Sequence, residues 1–256
     1  MSNSIGILII GAGKVGTATG LALKNNVVYH DPYKKIINNN YNDYEYAVIC
    51  VDTVQKGPDD YRDLESVLDE LESKKYSGVV VIRSTVSPTK IAEWDSKYSF
   101  DYIMFPEFMP QQEGRLITDS AWTVVLGGPN DKTRAFASAL YNNGYPGERE
   151  IYRHVTKEEA CIIKLADNAG LSAKLTYFNA VYKICEKFGA SYENVRSVIG
   201  MDSRIGIQHS VVPSPDDGKF GFGGHCLPKD IKVMAELDGL GFFEKVSKIN
   251  AKLRNL

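Results

Sequence analysis

The chain has 256 residues, 43% of them hydrophobic and 24% charged, with a formal net charge of −2. That is ordinary globular composition with room for one large domain or two. It gives no nucleic-acid or membrane surface, since the Lys and Arg residues are scattered rather than blocked and no apolar run is long enough to span a bilayer.

The start, MSNSIGILIIGAGKVG, lacks the basic region of a signal peptide and runs straight into glycines. The apolar run Ile5–Ile10 predicts a buried strand, and KVGTATGLALKN after it predicts a helix. Between them stands Gly11-x-Gly13-x-x-Gly16. A second apolar run, NVVYHD, ends in Asp31, 20 residues after Gly11. A Rossmann unit places there the carboxylate that accepts the ribose hydroxyls. Gly11 permits the tight turn, Gly13 lets backbone approach a pyrophosphate, and Gly16 lets the helix pack on the strand. The helix N-terminus attracts the anion. The cofactor-binding set is therefore Gly11, Gly13, Lys14, Val15, Gly16 and Asp31. Asp31 repels a 2′-phosphate, which favours NAD over NADP. A glycine-rich turn with a capping Asp is the plain structural alternative.

Further buried strands are predicted at YAVICV (46–51), GVVVIRST (78–85), YIMF (102–105) and TVVLGG (123–128), with a helix over YRDLESVLDELESKK. The alternation predicts an α/β fold with a parallel, doubly wound sheet. Ligands bind such sheets at the carboxyl ends of strands. Thr53, Thr85 and Glu107 lie just past such ends, though each also reads as a turn or capping residue.

The loop YNNGYPGERE (141–150) predicts a boundary, with a dinucleotide-binding domain over 1–150 and a helical domain over 151–256. One long helix is predicted over VTKEEACIIKLADNAGLSAKLTYFNAVYKICEKFG, opened by the capping box Thr156/Glu159 and stopped by Gly189, with Gly170 a candidate kink. Lys164 and Asn168 are four apart and share a face of it, which by itself reads most simply as a solvated polar face. SYENVRSVIG predicts a shorter helix. PKDIKVMAELDGLGFFEKVSKINAKLRNL predicts a closing helix with Pro228 in its first turn.

Cys50, Cys161, Cys185 and Cys226 lie far apart with no C-x-x-C pairing, so they read as free thiols in a reducing cytoplasm, with no metal site. The first three fall inside predicted strand or helix, where cysteine is a small hydrophobe. Cys226 falls in GFGGHCLPKD, at a helix N-terminus beside Lys229. Dipole and ammonium both stabilise a thiolate there, the environment of a covalent nucleophile. An exposed, unemployed thiol is the alternative.

GFGGHCLPKD resembles the G-x-G-G-x-C-x-P-K-D signature of the UDP-glucose/GDP-mannose dehydrogenase family. In order along the chain, G-A-G-x-V-G, RSTVSPT, PEFMPQQEG, KLADN and DSRIG resemble that family's other blocks. The resemblance runs from about residue 5 to 240, and the PEF block is similar to the UDP-glucose 6-dehydrogenase branch. It implies oxidation of a nucleotide-sugar C6 alcohol to a carboxylate in two hydride transfers with two NAD. The intermediate is a thiohemiacetal and then a thioester. Cys226 is then the nucleophile. Lys164 and Asn168 stabilise the alkoxide, and Lys164 is a candidate base. Asp230 orients water or takes a proton, and Thr85 and Glu113 place water and cofactor. Thr53 and Thr85 join the cofactor set. Glu107, Phe108, Arg204, Gly223 and Lys229 contact substrate or shape its pocket.

The departures from the family pattern are specific. PEFMPQQEG holds two extra residues before its second Glu, so Glu113 or Gln111 fills the water-activating position. The family's P-T-P is Asp52-Thr53-Val54. The stretch between Asp31 and Tyr46 is short, which predicts loss of one strand and one helix from the sheet. His225 stands where the family often has Tyr or Ser and is expected to be exposed. The family's third, nucleotide-gripping domain is not within this sequence. A naturally short member, a fragment and one half of a pair are the alternatives. Three readings follow: a compact, homodimeric nucleotide-sugar dehydrogenase, a single-step β-hydroxyacid dehydrogenase-like enzyme using Lys164 and Asn168, and a non-catalytic NAD-binding module.

Overall fold

The computed structural model describes residues 6–24, 27–108, 123–145 and 151–256. The chain divides into two compact units, Met1–Lys164 and Leu165–Leu256.

Among the described residues the first unit has seven strands: β1 (Ile7–Ile10), β2 (Val27–His30), β3 (Tyr46–Ile49), β4 (Val79–Ile82), β5 (Tyr102–Met104), β6 (Val124–Gly127) and β7 (Tyr152–Val155). Their order across the sheet is β2-β1-β3-β4-β5-β6-β7. Pairing is parallel from β2 through β5 and again between β6 and β7. The helices of this unit are α1 (Lys14–Ala22), α2 (Arg62–Ser73), α3 (Thr89–Lys97) and α4 (Asn130–Asn142). The apolar runs of β1 and β3 are buried throughout, as strands covered on both faces must be. Residues two apart share a face, so Ile7, Ile9, Tyr46 and Val48 pack with Phe105 and with Phe136 and Leu140 of α4. Each such side chain contributes roughly 1.5–3 kcal/mol of burial. On α2, Leu64, Leu68 and Leu71 repeat at helical spacing and form its buried stripe.

From β1 the chain goes to β2 on one side and to β3 on the other. The carboxyl ends of β1 and β3 therefore flank the point where strand order reverses, the place where open α/β sheets bind ligands. Between β2 and β3 the described chain has only two single 3-10 turns, Pro32–Lys34 and Tyr41–Asp43, and β2 is an edge strand. The shortening read from the sequence accounts for this.

The second unit is helical. The helix α5 (Lys157–Phe188) runs 32 residues and passes unbroken through Gly170. Its capping box is formed, with the Glu159 N–H donating to Thr156 Oγ1 at 3.1 Å and the Thr156 N–H donating to Glu159 Oε2 at 2.7 Å. Gly189, at φ +65°, follows its last turn. Then come α6 (Tyr192–Met201), α7 (Cys226–Leu237) and α8 (Phe242–Arg254). Ala169 of α5, Ile231 of α7, Val246 of α8 and loop residue Phe222 form the unit's core.

The structure corrects the sequence reading in four places. The sheet is not wholly parallel, since β5 and β6 pair antiparallel through Met104 and Gly127. A buried apolar run reads the same in either direction. β7 was not expected. It carries Arg153 and His154 and is half-exposed, so it shows no apolar run. Because β7 pairs with β6, the division by compactness falls within α5, past the boundary expected at 150. The single closing helix is two. Gly239 and Gly241 adopt positive φ, and Asp238 accepts the N–H groups of Leu240, Gly241 and Phe243 to start α8.

Candidate active site

In the first unit the glycine loop is built as its spacing predicts. Gly11 has φ +94°, and a Cβ there would stand 2.7 Å from the Cys50 carbonyl oxygen. A Cβ on Gly16 would overlap the Gly11 carbonyl oxygen, so α1 packs directly on the turn. Gly13 differs, since among the described residues a Cβ there would meet nothing within 4 Å. It is the N-cap of α1, whose first turn carries no acidic residue and no side-chain cap. Open space in front of uncapped helix N–H groups suits a pyrophosphate. Lys14 is exposed there and Val15 packs back on the core.

Asp31 is only 8% exposed. Its Oδ2 accepts the Ala12 N–H at 2.8 Å, and its Oδ1 accepts the Lys34 N–H at 3.2 Å. The Lys34 ammonium donates in turn to the Ala12 carbonyl. Loop, acid and lysine thus form one hydrogen-bonded unit. The residues fit a dinucleotide. Lys34 was not singled out from the sequence. The signal available was a lysine three residues past Asp31 in a turn opened by Pro32.

Beyond β3 and β4, the structure brings Thr53 and Thr85 together. Thr53 is buried and donates its hydroxyl to the Thr85 carbonyl at 2.7 Å. Beyond β5, Glu107 makes an ion pair with Lys164 at 3.1 Å, with the lysine side chain only 5% exposed. The Lys164 ammonium also lies 5.3 Å from the centre of the Phe108 ring. Three residues named separately in the sequence thus form one cluster. Glu113 and Gln111 lie outside the described residues.

In the second unit, Asn168 donates to Asp230 Oδ2 at 2.5 Å, and Asp230 is fully buried. The Lys229 ammonium stands 3.8 Å from the other oxygen of Asp230. Cys226 is the first residue of α7 and half-buried, one turn before Asp230. His225 precedes it as N-cap and is exposed. Gly223 lies in the loop before it, against the Arg254 guanidinium. Arg204 stands in solvent, 87% exposed, held by Asp202 at 2.6 Å. The other three cysteines are buried and free. Burial pushes the thiols of Cys50 and Cys161 up to about 12, so both are inert at neutral pH.

A glycine-looped, doubly wound sheet followed by helices, with a cysteine heading one helix and an amide–carboxylate pair beneath it, defines a Rossmann-type α/β protein with an all-helical second unit. Residues 158–251 match the central domain of the UDP-glucose/GDP-mannose dehydrogenase family. A UDP-glucose 6-dehydrogenase of Rickettsia conorii is 31% identical over 216 residues, covering 80% of this chain and 47% of that protein. The chain belongs to the UDP-glucose/GDP-mannose dehydrogenase family, and it spans about half the length of the curated relatives it matches. Solved structures share the fold. A UDP-glucose dehydrogenase from Pyrobaculum islandicum aligns with TM-score 0.76 at 21% identity, over 100% of this chain and 69% of that one. A 3-hydroxyisobutyrate dehydrogenase from Mycobacterium tuberculosis aligns with TM-score 0.74 at 16% identity, over 97% and 93%. Among the described residues no helix is long and apolar enough to cross a membrane.

Proposed function

We propose that this chain performs the NAD-dependent oxidation of a nucleotide-sugar primary alcohol to its carboxylate, UDP-glucose to UDP-glucuronate, through Cys226. The observation that carries the reading is the place of Cys226 at the head of α7, one turn before the buried Asp230 that holds the Asn168 amide. A helix N-terminus favours an anion, and a thiolate is the form of cysteine that attacks a carbonyl. The Rickettsia conorii relative is named for this reaction.

NAD, when bound, accepts the hydride at each oxidation. The glycine loop, Lys14, Val15 and Asp31 would hold it, with Thr53 and Thr85 at the neighbouring strand ends. In the first oxidation C6 gives up a hydride and its hydroxyl proton passes to a base, for which Lys164 in its neutral amine form is the candidate, becoming the ammonium that faces Glu107. Lys164, paired with Glu107, and Asn168 present donors to the developing oxyanion. The Cys226 sulfur then bonds to the aldehyde carbon, and the aldehyde oxygen takes a proton to complete the thiohemiacetal. Loss of that proton and of a second hydride leaves the thioester. Water adds to the thioester carbonyl, Asp230 orients it or takes its proton, and the sulfur leaves as thiolate. Thr85 and either Glu113 or Gln111 place water, while Phe108, Arg204, Gly223 and Lys229 serve the substrate.

The working form in this reading is a cytoplasmic homodimer. Ile184 and Phe188 of α5 and Met201 of α6 are exposed apolar residues that a second copy covers. The test of function is NADH formed per mole of UDP-glucose. Two equivalents support the reading. One equivalent favours the single-step hydroxyacid-type oxidation, which needs no cysteine. None, with NAD still bound, leaves an NAD-binding module.

A further inference from the structure

The loop that delivers Cys226 is built on glycine. Gly221 and Gly224 both have positive φ, at +75° and +76°, and glycine backbone has the most conformational freedom to lose. Yet Phe222 is 3% exposed, in the core of the second unit, where its peptide groups need partners. Side chains of two helices supply them. Asn250 of α8 matches both polar groups of Phe222, its Oδ1 accepting the N–H at 2.7 Å and its Nδ2 donating to the carbonyl at 3.0 Å. Asn179 of α5 accepts the Gly221 N–H at 2.8 Å, and its own amide is pinned by donating to the Leu175 carbonyl at 2.8 Å. Both asparagines are buried. Arg254, in the last turn of α8, lies over Gly223, where a Cβ would come within 3.0 Å of its guanidinium, and Asp217 holds it at 2.7 Å. A Cβ on Gly221 would overlap the Asn250 amide oxygen. The glycines make room for a clamp as well as for a turn.

We propose that Asn179, Asn250 and Arg254 are positioning residues that fix Gly221–Gly224 and thereby aim the Cys226 sulfur at the head of α7. The inference rests on the reading of Cys226 as the nucleophile. The two asparagines bond to loop backbone and Arg254 packs over Gly223, so their effect reaches the sulfur through only a few peptide units. A nucleophile displaced by an ångström loses on the order of a hundredfold in rate.

The test uses the full chain. It reads turnover of UDP-glucose with NAD, and the pH profile of Cys226 alkylation by iodoacetamide, followed on the Cys226 peptide by mass spectrometry. Asn250→Ala and Asn179→Ala are expected to lower kcat about tenfold or more, leave the KM for NAD unchanged, and move the alkylation profile to higher pH. Phe178→Leu, a buried change at the position next to Asn179 whose side chain makes no hydrogen bond to the loop, lowers the melting temperature and moves neither reading. Should Asn250→Ala fail to fold, Asn179→Ala, which loses a single loop bond, decides the matter. A folded Asn179→Ala with wild-type kcat and a wild-type alkylation profile overturns the proposal. If Cys226→Ser keeps full turnover, the nucleophile reading fails, while the alkylation profiles still decide whether the clamp sets the surroundings of the thiol.

Discussion

Asn168 donates its amide to Asp230 at 2.5 Å across 62 positions of sequence, and the carboxylate that receives it is fully buried. The bond fastens α5 to α7 one turn below Cys226. A buried carboxylate is tolerated only where donors meet it, so the pair is a condition for α7 lying where it does, before it is anything for catalysis.

Asn168→Ala removes that donor. The expected cost is about 1–3 kcal/mol of unfolding free energy, read as a lower urea midpoint at unchanged slope. Asn168→Asp sets two carboxylates against each other and costs more, with part of the loss recovered as pH falls and one of them takes a proton. A wild-type midpoint for Asn168→Ala would show that the amide is not what makes burial of Asp230 tolerable.

The glycines of the first loop separate two effects that are usually confounded. Gly16→Ala drives a methyl into the Gly11 carbonyl oxygen and should both destabilise the first unit and abolish NAD binding. Gly13→Ala places its methyl in open space, so the melting temperature should hardly change. The same methyl occupies the volume assigned to the pyrophosphate, so NAD affinity should fall at least about tenfold, since a buried methyl clash costs of order 1–3 kcal/mol. Calorimetric titration alongside a thermal melt reads both. Undiminished NAD affinity in Gly13→Ala would place the pyrophosphate elsewhere.

Cys226→Ser should stop acid formation and leave NAD affinity at the wild-type value, because the cysteine belongs to α7 and the glycine loop to α1. A serine hydroxyl in that place is a far weaker nucleophile at neutral pH. Glucuronate product quantified by chromatography is the readout. Equal product from the variant would end the covalent mechanism while leaving the fold assignment intact.

The readable parts of this chain are those where one local pattern has one physical solution. Gly11, Gly13 and Gly16 followed by Asp31 leave little choice of geometry, and Thr156 with Glu159 marks a helix start that forms as expected. Pairings across the chain were less legible. Glu107 and Lys164 were each singled out, but nothing in either neighbourhood foretells an ion pair between residues 57 positions apart. Asn179 and Asn250 look like ordinary polar helix residues until Gly221 and Phe222 are seen to need partners. The break between α7 and α8 was written in the Asp238-Gly239-Leu240-Gly241 turn, which a single apolar period on both sides obscured. β7 failed for the opposite reason, since a half-exposed strand with Arg153 and His154 has no apolar run to find.

His209 carries the last prediction, on pH. It sits in the long loop of the second unit at φ +57°. His209 is exposed at the surface, and partial desolvation there, and then the Lys174 ammonium, hold its imidazole below the usual histidine range, while Asp167 and Asp216 pull the other way. The unfolded imidazole, near 6.5, therefore takes up a proton more readily than the folded one. Its contribution to stability is complete above that pH and is lost as pH falls below it. His209→Asn keeps a residue that tolerates the left-handed conformation and removes the titration. Urea midpoints taken from pH 7.5 down to 5.5 should fall for the wild type and fall less for the variant. His154 in the first unit, also held low by burial and then by Arg134, sustains a residual slope. Identical slopes for the two proteins would mean that His209 titrates in the folded chain as it does in the unfolded one.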